Sequence, residues 1–315
     1  MTTALTTAPT PAWLPTSACT PRCTSDPVPS VDPALRRHRW GRLAGALGRA
    51  GVASLRAPLT GARGRRRLGV CAAARVLTAV GVRVEVHSSP VAWPRTGPGH
   101  GPGQLVVANH VSLLDGLALL TVVPGVPVAR REIGGWPVVG RLLRHTGAVL
   151  IDRGAVRTLP GTVEEVAGLL RTGTSVTVHP EGTTSCGVEL GRFRRAFFQA
   201  AVDTAAPVCP VALRYRVDSG AGSAVAAHLG GEPPLRTLAR VVAARGLVVE
   251  VHLLPALDPA GADRRELAAL AEYAIAAVTE ARPPVVAAHP RRARVPAPLP
   301  VRRPATRRPG AARAA

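Results

Sequence analysis

The sequence predicts a single α/β domain in which helices flank a mostly parallel or mixed sheet, preceded by amphipathic helices at the amino terminus. Short apolar runs typical of buried strands alternate along the chain with helical patterns of ten or more residues. Apolar residues make up 46% of the 315 residues, which is enough for a buried core. A segment rich in arginine and leucine precedes the first strand, and this segment predicts the amino-terminal helices.

The two ends of the chain differ in composition from its centre. Residues 1–33 are rich in Pro, Thr and Ser, and residues 283–315 are rich in Pro and Arg, so we expect a disordered leader and a disordered tail. Residues 34–82 combine recurring leucines with clustered arginines, a pattern typical of basic amphipathic helices that dock on an anionic membrane. The same pattern also fits helices packed on the domain with a solvated basic face. Residues 83–282 are the predicted α/β domain.

The elements of this domain follow in a regular order. Val82 to His87 alternates as a half-buried strand, and Gln104 to Ala108 is continuously apolar, as in a buried strand. Further strands are expected at residues 148–151, 175–178, 208–213 and 248–254, with helices at 112–123, 161–171, 193–204, 235–245 and 264–279. This alternation favours parallel strands connected by helices.

The net charge of +21 is concentrated in the flanking segments. Residues 34–67 contain ten arginines and no acids, and residues 282–315 contain nine more with no acids, which leaves +2 for the rest of the chain. Arginine-rich flanks suit an anionic surface, either lipid head groups or nucleic acid. The basic segments contain one aromatic residue, Trp40, and no recognised binding motif, so we expect no nucleic-acid partner.

Neither a secretory signal nor a membrane-spanning helix is predicted. The longest strongly apolar run without charge, residues 116–129, has 14 residues and contains two prolines, whereas a spanning helix needs about 20 residues. The five cysteines show no metal-type spacing with histidines, so we predict no metal site and a reducing compartment without disulfides. The expected location is the cytoplasmic face of the cell membrane, with peripheral attachment.

The most informative motif follows the second predicted strand. The strand ends at His110, and Asp115 follows five residues later, at the beginning of a helix. Asp115 could bind one imidazole nitrogen while the other nitrogen faces a substrate hydroxyl, which is what general-base catalysis needs. By itself this His-x4-Asp spacing also fits a buried histidine beside a capping aspartate.

Three further blocks accompany this motif. Arg130 to Ile133 combines basic residues with a glutamate, and an Asp-Arg pair that ends in Arg153 follows later in this block. Pro180 to Thr183 places a second carboxylate, that of Glu181, directly after a strand, where α/β sheets tend to bind ligands. Pro207 to Val211 begins another apolar strand.

Together and in this order, the four blocks resemble the phospholipid and glycerol acyltransferase family, typified by 1-acylglycerol-3-phosphate acyltransferase. The resemblance covers roughly residues 80–280. It implies transfer of a fatty acyl group from acyl-CoA or acyl carrier protein to a lysolipid hydroxyl, without a metal or tightly bound cofactor. It also implies that His110 is the base, that Asp115 orients it, and that the substrate is bound by Asn109, Ser112, Arg130, Arg153, Glu181, Gly182, Thr183 and Thr184.

One position departs from the family pattern. The third block usually reads Glu-Gly-Thr-Arg, but Thr184 stands at the position of the arginine. A threonine hydroxyl cannot replace the bidentate bonds of arginine to phosphate. The favoured acceptor is lysophosphatidate, held by Arg153 and its neighbours. The alternative is a lyso-ornithine lipid, because residues 181–187 and 193–198 resemble the branch of the family that acylates this acceptor.

Other classes of protein fit the sequence less well. A serine hydrolase would need a Gly-x-Ser-x-Gly elbow, which is absent. We interpret Cys186 as a small buried residue, and His179 as a strand-end histidine or an additional polar group of the acceptor site. A lipid-binding relative without catalysis is disfavoured because His110, Asp115 and Glu181 are all present.

Overall fold

The computed structural model describes residues 14–281 except Pro98, Pro137 and Ser219. The predicted tail and the first part of the predicted leader lie outside the described residues. The strands are β1 Arg83–Ser88, β2 Leu105–Ala108, β3 Val126–Arg130, β4 Val149–Ile151, β5 Val176–Val178, β6 Val208–Arg216 and β7 Val248–Leu253. The helices are α1 Pro33–Arg56, α2 Ala62–Val80, α3 Asp115–Val122, α4 Arg131–Gly134, α5 Val139–His145, α6 Leu159–Arg171, α7 Ala196–Thr204, α8 Pro234–Ala243 and α9 Arg264–Thr279.

The strands form one seven-stranded sheet in the order β1-β7-β6-β2-β5-β3-β4. Five neighbouring strands, from β6 to β4, run parallel, whereas β7 is antiparallel to β6 and β1 runs parallel to β7. The predicted α/β domain with a mostly parallel, mixed sheet is therefore confirmed.

Strand β3 and the short helices α4 and α5 are not predicted by the sequence pattern. Strand β3 contains Pro127 and follows α3 after only three residues, so its apolar residues merge with those of the helix in the sequence pattern. The two short helices have four and seven residues, too few for a periodic pattern to be recognised.

Both faces of the sheet are buried. Val106 and Ala108 of β2 point to the face covered by α1, α2, α3 and α8. Leu105 and Val107 point to the opposite face, which is covered by α6, α7 and α9. Alternate residues of one strand therefore contribute to two separate cores, which explains why the central strands are continuously apolar.

The amino-terminal segment consists of two helices that pack against each other. Helix α1 begins at Pro33, and the carboxylate of Asp32 accepts a hydrogen bond from the Leu35 N–H at 2.9 Å. Helix α2 ends at Val80, and the φ of +80° at the following Gly81 suits a glycine and turns the chain into β1. No helix in the described part of the chain is long and apolar enough to span a membrane.

Residues 14–31, which we call the strap, follow a defined path over the domain. This path differs from the disorder predicted for the leader. The Val31 N–H donates to the Ala243 carbonyl at 2.8 Å, and the Arg245 N–H donates to the Pro29 carbonyl at 2.7 Å. Cys19, Cys23 and Val28 pack against the core on the α1 side of the sheet. The contacts that order the strap thus come from segments far away in the sequence.

Candidate active site

The four sequence blocks meet at one edge of the sheet. His110 lies two residues after β2, Glu181 lies three residues after β5, Arg130 ends β3, and Arg153 lies two residues after β4. These strands are parallel neighbours, so their carboxyl ends lie at the same edge. This is where parallel α/β sheets place their binding and reacting groups.

His110 and Asp115 form a hydrogen-bonded pair. The Nδ1 atom of His110 lies 2.9 Å from Oδ2 of Asp115. The carboxylate is fully buried, whereas 19% of the imidazole surface is exposed. Because a carboxylate only accepts, Nδ1 carries a hydrogen, and in the neutral imidazole Nε2 is then the nitrogen with the lone pair. No other described residue is bonded to that Nε2, so this nitrogen is available to a substrate.

The carboxylate of Asp115 is held by further donors. Its Oδ2 accepts the backbone N–H of Val111 at 2.6 Å and that of Ser112 at 2.8 Å, and its Oδ1 accepts the hydroxyl of Tyr215 at 2.7 Å. Burial alone would raise the pKa of Asp115, but the hydrogen bond and charge of His110 outweigh it and leave this pKa below its ordinary value. Asp115 is therefore an anion at neutral pH and cannot rotate away from the imidazole.

Tyr215 is a site residue that the sequence analysis misses. It lies on β6, 100 residues after Asp115, and reaches that carboxylate because β6 pairs with β2. Burial, together with the neighbouring charge of Asp115, raises the pKa of Tyr215 well above its ordinary value, so the phenol stays protonated and donates. No local sequence pattern distinguishes this tyrosine from an ordinary core residue of a strand.

His179 stacks on the catalytic candidate His110. The two ring centroids are 4.1 Å apart, with an interplanar angle of 16°. The Nδ1 of His179 lies 3.2 Å from the Ala108 carbonyl oxygen and 3.0 Å from that of Asn109, so this nitrogen is the donor. Burial lowers the pKa of His179 to about 3, and the ring is therefore neutral. A flat, uncharged ring thus supports one face of the His110 imidazole.

Glu181 connects the two central loops of the site. Its Oε1 accepts the His110 N–H at 2.7 Å, and its Oε2 accepts the Gly191 N–H at 2.7 Å. Only 3% of the residue is exposed, and burial raises the pKa of Glu181 to about 8. A Cβ at Gly191 would lie 2.6 Å from Oε2, so this contact requires a glycine. Glu181 therefore holds the loop that carries His110 through these hydrogen bonds. Its expected contact with an acceptor stays a prediction.

Arg130 and Arg153 provide the positive charge at the site. Arg130 pairs with Glu132 at 3.2 Å and is half exposed. Burial, together with the nearby charge of Arg130, lowers the pKa of Arg153 to about 10, while the charge of Glu132 opposes this effect. Two guanidinium groups thus lie near one carboxylate, that of Glu132, which leaves net positive charge at this edge.

Comparison with known proteins places the site in a family. The model of the acyltransferase family matches residues 83–214, which contain His110, Asp115, Arg153 and Glu181. A 1-acyl-sn-glycerol-3-phosphate acyltransferase of Neisseria meningitidis is 35% identical over 190 residues, which is 60% of this chain and 71% of the relative. A lyso-ornithine lipid O-acyltransferase of Pseudomonas aeruginosa is 32% identical over 238 residues, which is 75% of this chain and 88% of the relative.

This chain belongs to the acyltransferase family. Its fold is also similar to the crystal structure of the 1-acyl-sn-glycerophosphate acyltransferase PlsC from Thermotoga maritima. That likeness has a TM-score of 0.59 with 23% sequence identity and covers 78% of this chain and 94% of the other. The expected family resemblance and the expected enzyme class are therefore confirmed.

In this acyltransferase, the side chains of Asn109 and Ser112, which flank His110, form hydrogen bonds with the protein backbone. The side-chain amide of Asn109 donates to the Leu213 carbonyl at 2.9 Å and accepts the Leu213 N–H at 2.7 Å. The buried hydroxyl of Ser112 accepts the Leu114 N–H at 3.2 Å. Both side chains thereby support the loop, and their role in substrate binding stays a prediction.

Thr184, the departure from the family pattern, is also engaged within the acyltransferase. Its hydroxyl donates to the carbonyl of His228, and the His228 N–H donates to the Val111 carbonyl at 2.9 Å. The short side chain of Thr184 therefore connects the loop after β5 to residue 228. Gly182 has a φ of +73° and Thr183 is half-buried.

Two groups of side chains among the described residues could share a metal ion. One consists of Cys19, Cys23 and Cys186, and the other of His87, Glu250 and His252. Neither group includes His110 or Asp115, so the His110–Asp115 pair is not part of a described metal-ligand set.

Proposed function

We propose that this acyltransferase moves a fatty acyl group from acyl-CoA or acyl carrier protein to the free hydroxyl of 1-acylglycerol-3-phosphate, forming phosphatidate. The observation that carries the proposal is the His110–Asp115 pair at the carboxyl edge of the sheet, with Nε2 of His110 left for the acceptor. Relatives that are named for acylating lysophosphatidate and lyso-ornithine lipid support a lysolipid as the acceptor.

The proposed chemistry follows from His110, whose Nδ1 is bonded to Asp115 while its Nε2 faces the acceptor. The acceptor hydroxyl donates to Nε2 of His110, which takes the proton as the oxygen attacks the thioester carbonyl. The new carbon–oxygen bond forms, the tetrahedral intermediate collapses, and the carbon–sulfur bond breaks. The leaving thiolate then takes the proton from the imidazolium. Asp115 stabilises that imidazolium, as its anionic state allows, and neither a protein nucleophile nor a metal ion is needed.

The acceptor phosphate is proposed to bind Arg130 and Arg153. Arg130 pairs with the carboxylate of Glu132, the charges of both act on Arg153, and both arginines lie at the same sheet edge as His110. A guanidinium group makes paired, charge-assisted hydrogen bonds to phosphate oxygens, and partial burial of Arg153 strengthens them.

A second acceptor, a lyso-ornithine lipid, is favoured by one observation. The position that usually provides an arginine is Thr184, whose hydroxyl is already bonded to the His228 carbonyl. A site with one cation fewer suits a zwitterionic head group better than a phosphate monoester. The relative that acylates lyso-ornithine lipid also matches across 75% of this chain.

We also propose that residues 52–63, the end of α1 with the turn and the start of α2, dock the enzyme on an anionic membrane at the cytoplasmic face; we call this segment the turn between α1 and α2. Apolar side chains are exposed here: Leu59 by 88%, Leu55 by 64% and Val52 by 55%. Exposed arginines, Arg56 and Arg63, flank them. Apolar side chains beside arginines are typical of a segment that inserts shallowly among anionic head groups.

One assay tests the chemistry and the acceptor together. The purified enzyme and its His110→Ala variant are incubated with palmitoyl-CoA and lysophosphatidate, lyso-ornithine lipid, lysophosphatidylglycerol or glycerol 3-phosphate, and products are read by mass spectrometry. We expect diacyl product from lysophosphatidate, and a loss of about 10²- to 10⁴-fold in the variant because the base is gone. His87→Ala, which removes an exposed histidine of the edge strand β1, is the matched control.

Three outcomes of this assay would contradict parts of the proposal. A His110→Ala variant that folds and keeps about a tenth or more of the activity would contradict the base mechanism. Product from lyso-ornithine lipid alone would select the second acceptor. No product with any acceptor, repeated with acyl carrier protein as donor, would assign the chain to lipid binding without catalysis.

A further inference from the structure

Three cysteine thiols meet beside the active site. Cys19 and Cys23 lie in the strap, and Cys186 lies in the loop after β5. Their three Sγ atoms lie within 4.8 Å of one another, and all three thiols are free. The Cys186 N–H also donates to Sγ of Cys19 at 3.2 Å, which holds the strap on the loop.

The strap places its two thiols side by side. Cys23 lies in a 3₁₀ helix of one turn, Pro21–Thr24, and its N–H donates to the Thr20 carbonyl at 3.0 Å. This turn folds the four-residue spacing so that both side chains approach Cys186. Zinc–thiolate bonds of about 2.3 Å put sulfurs that share a tetrahedral ion about 3.8 Å apart. The observed group therefore needs a contraction of at most about 1 Å to coordinate an ion.

We propose that Cys19, Cys23 and Cys186 form a binding site for a thiophilic divalent cation, with Zn²⁺ as the expected ion and water as the fourth ligand. Three converging sulfurs match a thiolate-rich zinc site, whereas a disulfide would use two of them and leave the third without a role. This site is separate from the chemistry of His110, and its existence does not depend on the proposed acyl transfer.

The position of the site links metal binding to the active-site loop. A Cβ at Gly182 would lie 2.6 Å from Cγ of Pro15, so the strap passes directly over the Glu181–Gly182 turn. The Ser185 N–H donates to the His110 carbonyl at 2.9 Å. An ion bound by the three cysteines would therefore fasten the strap across the loop that borders His110.

The second group, His87, Glu250 and His252, is a weaker candidate. Glu250 already accepts a hydrogen bond from the guanidinium of Arg216 at 2.6 Å, so an ion would compete with a fixed positive charge. The imidazoles of His87 and His252 are stacked with centroids 4.4 Å apart, so the two rings already pack against each other.

Cobalt titration of the full-length, reduced, metal-free protein tests the proposal. Co²⁺ should bind at one ion per chain with intense thiolate-to-cobalt charge-transfer absorption, and Zn²⁺ should displace it. Cys19→Ser and Cys23→Ser should each lose this absorption. Cys71→Ser, which changes an exposed cysteine of α2 outside the group, should keep it. Thermal melting of each variant shows that loss of the signal is not loss of the fold.

Trypsin cleavage after the exposed Arg22 reports on the strap itself. If cleavage requires release of the strap, Zn²⁺ at about 100 times its Kd should slow it by up to about 100-fold in the wild type and not in Cys23→Ser. Neither measurement requires turnover, so failure of the acyl-transfer assay and failure of metal binding are distinguishable.

Two results would overturn the proposal. The first is the absence of thiolate–cobalt absorption, or its persistence in Cys23→Ser. The second is a reduced protein that binds no metal but forms a disulfide between Cys186 and Cys19 or Cys23 under mild oxidation. That outcome would make the group a redox pair with a spare thiol.

Discussion

At the scale of single residues, the site depends on the hydrogen-bond donors that surround the Asp115 carboxylate. Four hydrogen bonds converge on its two oxygens, from His110, the Val111 and Ser112 amides and the Tyr215 hydroxyl. A buried carboxylate with fewer donors would tend to bind a proton, and it would then no longer stabilise an imidazolium. The orientation of His110 is thus a property of the whole group of donors.

Tyr215→Phe tests this arrangement by removing one donor from Asp115. We expect the free energy of unfolding to fall by about 1–3 kcal/mol, the usual value of a buried hydrogen bond to a charged group, and kcat to fall roughly tenfold. Urea titration and acyl-transfer kinetics measure the two effects. Tyr273→Phe changes the chain's other, 75% exposed tyrosine and should leave both quantities unchanged.

The same variant has a predicted pH dependence. The pKa of Asp115 in the folded protein lies below the ordinary value of 3.8, so its contribution to stability is present above about pH 4 and is lost as the pH falls through the folded value. Loss of the Tyr215 hydroxyl should raise that folded pKa. Acid unfolding of Tyr215→Phe should therefore begin at a higher pH than that of the wild type, and equal midpoints would contradict this account.

Thr184→Arg tests the choice of acceptor. The new guanidinium should favour phosphate-bearing acceptors over lyso-ornithine lipid by about tenfold in kcat/KM, or about 1.4 kcal/mol, because it can bind phosphate through two hydrogen bonds. Thr184→Val also removes the hydroxyl bond to His228 but adds no charge, which isolates the effect of the cation. An unchanged or reversed preference would show that this position does not select the head group.

At the scale of elements, the site is built from strand ends. The carboxyl ends of β2, β5, β3 and β4 lie in consecutive positions along the sheet and carry His110, Glu181, Arg130 and Arg153 respectively. The proposed base and the proposed phosphate ligands are therefore held by neighbouring strands of one sheet.

At the opposite edge of the sheet, the segment before β2 passes close to the segment before β5. A Cβ at Gly103 would lie 2.1 Å from the Thr174 carbonyl oxygen, so this close approach requires a glycine.

The turn between α1 and α2 carries the prediction for membrane docking. Arg56→Gln with Arg63→Gln should weaken binding to vesicles containing phosphatidylglycerol by about 2 kcal/mol, or roughly 30-fold, at low salt. Leu55→Ser with Leu59→Ser should instead remove the binding that persists at high salt, because apolar insertion is not screened. Vesicle flotation at two salt concentrations measures both effects.

Leu235→Ser is the matched control for that experiment, because Leu235 lies on α8 and is exposed to the same extent as Leu55, 64%. Normal vesicle binding by both double variants would exclude the turn as the docking surface. A gel shift with DNA that is weakened by the arginine changes, without any vesicle binding, would favour nucleic acid as the anionic partner instead.

At the scale of the whole molecule, most of the net charge lies outside the segment of sequence that carries the site residues. The net charge of +21 lies almost entirely in the flanking segments, whereas the remainder of the sequence carries +2. Within the described residues, the basic helices α1 and α2 cover one face of the sheet together with α3 and α8. A nearly neutral catalytic domain attached to a basic helical pair can be attracted to a membrane without placing a strong positive potential over the whole site.

The sequence by itself determined the features that depend on neighbouring residues. The alternation of apolar strands and amphipathic helices predicts the α/β domain because side-chain periodicity follows from local backbone geometry. The pairing of His110 with Asp115 is also local, since only four loop residues separate them and Asp115 begins α3. The missed strand β3 shows the limit of this approach, because Pro127 and the adjacent α3 obscure its pattern.

Only the tertiary structure decided the contacts that depend on the order and register of the strands. Tyr215 reaches Asp115, and Glu181 reaches the His110 N–H, because β2 lies between β6 and β5 in the sheet. Cys186 meets Cys19 across 167 residues. Periodicity and spacing carry no information about such distances, since many strand orders would satisfy the same apolar pattern. Packing of the whole chain selects one of them, and with it the surroundings of His110.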